Sequence, residues 1–173
     1  MNKLAKENDH SLYSFVNESF ELTLRANKLG ANIRTLSDSR ELLNDARDNG
    51  FTLGLETLWY EMAEIAYDKA KKKALQNWFE AGVWLAKRYI TSEIADPLET
   101  FKNDLKDFTW NVPELVVKPE KQKVTVRIVS PRFTEAYTYL FTSFLEGALE
   151  SFDYKICSKD VSTGFICLTA IKR

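Results

Sequence analysis

The residues best suited to metal or nucleophile chemistry in this 173-residue chain are two cysteines and a single histidine. Cys157 and Cys167 stand ten positions apart, with Gly164 between them. A structural zinc takes four ligands. Without a third cysteine or a nearby histidine that set is incomplete, so no metal is expected. A disulfide across a hairpin is geometrically open but disfavoured in a reducing compartment. Two small apolar side chains in a buried hairpin is the simpler reading. His10 lies in the polar stretch before Ser11, where it makes a poor base for a Ser–His or Cys–His nucleophile. There is no glycine-rich phosphate loop and no dinucleotide fingerprint. Glu56, Glu61 and Glu64 read as solvent-facing helix charge, and Glu146 with Glu150 as the polar edge of another helix. No enzyme chemistry and no cofactor are expected.

Composition narrows the classes further. The chain is long enough for one domain with a sizeable core. Its 45% hydrophobic and 28% charged residues are those of an ordinary globular protein. Net charge is −1, from 24 basic and 25 acidic side chains, so no broad footprint for nucleic acid exists. Lys69, Lys71, Lys72 and Lys73 form the main basic cluster and read as a solvated helix face. No apolar run is long enough to span a membrane, and no apolar leader follows Met1. A cytoplasmic protein is expected. What stands out is 13% aromatic residues, which either fill a core or line a pocket.

The elements that would position these groups follow from periodicity. Leu12, Phe15, Val16, Phe20, Leu22, Leu24 and Leu29 predict a first helix ending at Gly30. Asp38 and Glu41, at capping-box spacing, open a second that Asn49-Gly50 stops. From Thr52 a long helical stretch has Leu55, Leu58, Trp59, Met62, Ile65, Ala66 and Ala70 on one face. The AKKKA patch marks a break or a solvated middle. Beyond it Trp78, Ala81, Gly82, Leu85 and Tyr89 continue the apolar face. Pro97 ends this stretch, and a short amphipathic helix follows over residues 98–107. Two-residue alternation then predicts strands over 115–118 and 123–129, joined as a hairpin at 119–122. Ser130 and Pro131 read as the start of a wide-striped aromatic helix, buried and central. Gly147 on that helix points to something packed close, a first hint of a binding surface. Strands at about 154–158 and 164–171 close the chain, the last of them apolar on both faces and expected to be covered on both sides. The fold class is α+β: N-terminal helices, then a four-stranded antiparallel sheet of two hairpins with helices packed on it. Residues 1–74 form an N-terminal helical segment that packs on the same domain or makes a dimer contact, and residues 75–173 the α+β region. A boundary near residue 50 is open, with no flexible linker to mark it.

The run FLEGALE at 144–150, an acidic loop, a strand with Cys157, then Gly164 and a strand with Cys167 resemble the C-terminal half of the 4-vinyl reductase small-molecule-binding domain. Its fold is shared with TRAPP tethering subunits and haem nitric-oxide sensors. WFEAGVWLAKRYI at 78–90 is similar to the opening helix of that family. The resemblance covers roughly residues 75–172. It implies binding or sensing of a hydrophobic small molecule without converting it. A homodimer is expected, and a protein partner to receive any signal. Some sensor members hold a zinc with a Glu and tail cysteines. Here Tyr154 stands where that Glu is expected, and the gap between the cysteines is longer. The resemblance places a cavity against the aromatic helix, so Trp78, Phe79, Gly82, Trp110, Tyr137, Phe141, Phe144 and Leu145 are the ligand-binding candidates. The alternatives are a TRAPP-like structural or interaction protein with a filled core, an enzyme on a tetrapyrrole-like substrate, and a nucleic-acid regulator. The near-neutral charge opposes the last of these.

Overall fold

The computed structural model describes residues 3, 6, 11–28, 43, 44, 46, 47, 50–52, 54–92, 94–109 and 111–173. The chain divides into two compact units, Met1–Phe51 and Thr52–Arg173. In the first, α1 spans Leu12–Lys28 and opens with the Ser11 hydroxyl accepting from Ser14 N–H at 3.1 Å. Ala26 is buried, whereas Phe20, Leu22 and Leu24 are exposed, so the broad apolar face expected of this helix is only partly covered. Residues 43, 44, 46 and 47 are helical. At the end of this short helix Gly50 N–H donates to Arg47 O and Phe51 N–H to Ala46 O, both at 2.9 Å. That pairing of carbonyls with a left-handed glycine is a Schellman stop, as Asn49-Gly50 predicts. The predicted start at Asp38 and Glu41 and the stop at Leu29-Gly30 lie outside the described residues.

The second unit is built on a long helix, α2 (Glu56–Thr91), broken at Ala70, where φ −149° and ψ 46° leave the helical region. The break falls at the AKKKA patch, where the sequence suggests one. It separates a first arm, residues 56–69, from a second, residues 71–91. After it, Asp96 caps α3 (Pro97–Phe108) by accepting from Glu99 N–H at 3.0 Å, with Pro97 in the first turn. The sheet follows: β1 (Glu114–Pro119), β2 (Lys123–Val129), then helix α4 (Glu135–Ser151), β3 (Tyr154–Ser162) and β4 (Phe165–Lys172). Strand order is β1-β2-β4-β3, antiparallel throughout. The class is α+β, with helices on the inner sheet face.

Alternation sets which side chains face inward. Val124, Val126 and Ile128 of β2 and Ile166, Leu168 and Ala170 of β4 are buried, together with Leu145, Ala148 and Leu149 of α4. Burying each Val, Leu or Ile among them stabilises by about 1.5–3 kcal/mol. Helix α4 is central: α2 packs closely against it, and ten of its residues are buried. The expectation that β4 is covered on both faces is corrected. Phe165, Cys167 and Thr169, on its outer face, are only half-buried. Apolar content on both faces marks a central strand here, since β2 and β3 flank it, but not a second covering layer.

Helix α4 begins later than Ser130-Pro131 suggests. Thr134 is the cap, its hydroxyl accepting from Tyr137 N–H at 3.3 Å. Ser130 is otherwise engaged: its N–H donates to Gly164 O at 2.8 Å and its carbonyl accepts from Phe133 N–H at 3.1 Å. Pro131 thus occupies the second position of a turn, a place its fixed φ suits equally well. The same corner is pinned from the helix. Gly164 N–H, at φ +76°, donates to the buried Thr138 hydroxyl at 3.0 Å, and that hydroxyl donates to Thr134 O at 2.7 Å. Thr138→Val keeps the volume but strands a buried N–H, which costs about 1–3 kcal/mol. A lowered denaturant midpoint with unchanged slope is the expected result, and an unchanged midpoint would show that the bond contributes nothing.

Candidate functional site

The aromatic face of α4 meets α2 along a seam whose two ends differ. At one end the helices touch through glycine. A Cβ at Gly82 would overlap the Phe144 carbonyl oxygen, and one at Gly147 would overlap that of Phe79. Gly147 therefore marks a close approach, as the sequence suggests, but the close neighbour is the backbone of α2 and not an open surface.

At the other end the seam is a nest of rings around Tyr137. Its ring lies 4.8 Å from Tyr60, 5.4 Å from Trp78, 4.8 Å from Phe133 and 5.8 Å from Phe141, centroid to centroid. The first three contacts are edge-on and the last is stacked, both arrangements that favour ring pairs. Phe144 extends the stack from Phe141 at 5.7 Å. Tyr137, Trp78, Tyr60 and Phe144 are half-buried, while Phe133 and Phe141 are buried.

A polar cluster borders the nest. Glu56, in the first turn of α2, accepts from Tyr60 Oη at 2.6 Å, Asn111 Nδ2 at 2.9 Å and Arg132 Nη1 at 3.0 Å. One carboxylate thus joins the start of α2, the segment between α3 and β1, and the turn before α4. The Tyr60 hydrogen bond, with help from Arg132 and Asn111, holds the Glu56 carboxyl below its usual value against a smaller opposing effect of desolvation. Burial, then the negative charge of Glu56, pushes the Tyr137 phenol up to about 12. The Tyr137 hydroxyl makes no hydrogen bond to a described residue.

Of the candidates read from sequence, Trp78, Tyr137, Phe141 and Phe144 come together at or beside this nest. Gly82 and the Phe79 backbone belong to the glycine crossing, and Leu145 is buried in the sheet-side core. Trp110 lies outside the described residues. Sequence reasoning does not single out Tyr60, and its reading of Glu56 as solvent-facing helix charge is corrected: the carboxylate is half-buried and bonded to Tyr60, Asn111 and Arg132. The Glu56–Tyr60 spacing of four is a local signal, but nothing local joins them to Asn111 or Arg132. Cys167 pairs in register with Asp160, and Cys157 sits at the bulge between Ile156 and Ser158, its thiol donating to Thr169 O at 3.3 Å. Both thiols are free, and the expectation of a buried pair is corrected: Cys157 is exposed and Cys167 half-buried, on the outer face of the sheet. Among the described residues no three His, Cys, Asp or Glu side chains gather as a metal site, and no helix is long and apolar enough to cross a membrane.

An α+β unit with an aromatic nest against a central helix is thus the class that fold and site define. No family model matches the sequence, and no curated protein matches it. Among solved structures it is similar to an H-NOX family protein studied for heme distortion, at 19% identity and a TM-score of 0.42, over 81% of this chain and 89% of that one. It is also similar to one from work on the mechanism of H-NOX activation, at 17% identity and a TM-score of 0.40, over 81% and 89%.

Proposed function

We propose that this chain is a non-catalytic protein that binds or senses a hydrophobic small molecule carrying a polar group, taken up at the ring nest around Tyr137. The observation that carries this reading is Tyr137: its ring is set among Tyr60, Trp78, Phe133 and Phe141, and its hydroxyl is bonded to no described residue. Apolar walls with a few placed polar groups are the usual composition of a ligand site. The resemblance to the 4-vinyl reductase small-molecule-binding domain, which rests on sequence motifs, supports the same reading. Binding would order the α2–α4 seam and shift the population of its arrangements, with output through protein contact. Free thiols at Cys157 and Cys167 suit a reducing, cytoplasmic setting.

Native mass spectrometry of the purified chain tests the proposal together with titration of phenylnaphthylamine, a neutral fluorescent probe. A co-purified organic mass or saturable probe binding is expected, with affinity about fivefold weaker in Tyr137→Phe through loss of one hydrogen bond. No ligand mass and no saturable binding would refute it. That outcome favours the second reading, a TRAPP-like interaction protein with a filled core. One observation already speaks for it: Phe133, Phe141 and Leu145 are each 6% exposed or less.

A further inference from the structure

The first arm of α2 buries an unexpected face. Tyr60, Ala63 and Tyr67 turn inward, while Leu55, Leu58, Trp59, Met62 and Ile65 at the helix's start are 47–73% exposed. These five recur at three- and four-residue intervals, so they form one continuous stripe. Isolated exposed apolar side chains need no explanation, but a contiguous stripe of this kind marks an interaction surface.

We infer that this stripe is a self-association surface, pairing with the same stripe of a second copy in antiparallel orientation. Area is the first argument. Five large side chains, each about half to three-quarters exposed, offer on the order of 500 Å² per copy. Two copies together reach roughly the 1,000 Å² that a specific interface requires. Charge is the second. Glu61, Glu64 and Asp68 precede Lys69 along the first arm, with Lys72 and Lys73 just past the break at Ala70, and none of the six forms an ion pair with a described residue. Acid therefore precedes base along the surface. Laid antiparallel with the stripes in contact, the basic end of each copy falls beside the start of the other's arm, away from the other's lysines. Laid parallel, acids face acids and lysines face lysines. A two-fold pair is also the commonest closed assembly, since one patch serves both copies.

Sedimentation velocity of the full chain across a dilution series reads the assembly. The wild type is expected to pass from dimer to monomer on dilution. Met62→Glu and Ile65→Glu, both at exposed positions, should raise the dissociation constant more than about tenfold while leaving the circular dichroism spectrum unchanged. Trp84→Glu, on the exposed side of the second arm, should leave it unchanged. Lys69→Glu should weaken association. A wild type that is monomeric at every concentration, or a dimer indifferent to Met62→Glu and Ile65→Glu, would overturn the inference. A dimer that Lys69→Glu does not weaken would overturn the antiparallel orientation.

Discussion

Gly147→Ala should destabilise the protein by about 2–3 kcal/mol, although alanine is the better helix former by about 1 kcal/mol. The two effects have opposite signs, so the measurement decides which wins. The added Cβ would fall on the Phe79 carbonyl group, with the Phe79 carbonyl carbon 2.9 Å away and Val83 N 3.2 Å away. These are backbone atoms within a helix and cannot swing aside as a side chain tip can. Gly82→Ala meets the Phe144 carbonyl in the same way. The α2–α4 axes must therefore separate, and the ring nest along the seam opens with them. Equilibrium urea unfolding gives the answer, with Ala81→Gly on the exposed neighbouring face as the calibration for propensity alone. That variant should lose about 1 kcal/mol. A stabilised Gly147→Ala would show that the seam has slack and that the glycines are there for another reason.

Alkaline pH should unfold this protein through two phenols. Burial first, then the hydrogen bond and charge of Glu56, raises Tyr60 far above its ordinary value. Burial, then Glu56, raises Tyr137 to about 12. The folded state thus favours the neutral phenol more than the unfolded chain does. The stability this contributes is complete below about pH 10, the unfolded value, and is lost as pH rises toward and past 12. Tyrosinate absorbance followed beside near-ultraviolet circular dichroism should show two phenols ionising only with loss of tertiary structure. Tyr137→Phe removes one of them and should flatten the decline. If all seven tyrosines ionise near pH 10 while the fold persists, the nest is wet and the argument for its desolvation fails.

Both expectations bear on function, because the seam they probe is the proposed ligand site. A seam held apart by a new methyl should also lose probe binding. A tyrosine that ionises readily would leave the polar handle charged and in water, a poor partner for a hydrophobic molecule.

Much of the fold was legible locally. The end of the long helical stretch before Pro97, the Gly50 stop and the switch to two-residue alternation after residue 110 each rest on the chemistry of a few adjacent residues. Those signals survive folding because no distant group competes for the same backbone bonds. Ser130-Pro131 failed as a helix start for the opposite reason. Gly164, thirty-four residues on, takes the Ser130 N–H, and the pair settles into a turn. The candidate site was half legible. Aromatic periodicity pointed to Tyr137, Phe141 and Phe144 on α4, but the Glu56 cluster joins segments up to 76 positions apart.

The order and periodicity of the residues are enough to set an α+β chain with a central aromatic helix and a hairpin on each side of it. Only the tertiary structure decided the rotation of α2. Its first arm has two apolar sectors, one with Leu58, Met62 and Ile65 and one with Tyr60, Ala63 and Tyr67, and hydrophobicity favours the first. Shape selects the second. Gly82 and Gly147 bring the second arm and α4 into backbone contact, and small Ala63 with the edge-on Tyr60 ring continues that close fit, which Leu58 and Met62 would hold apart. The more apolar sector is left facing outward, where another copy of the chain can cover it.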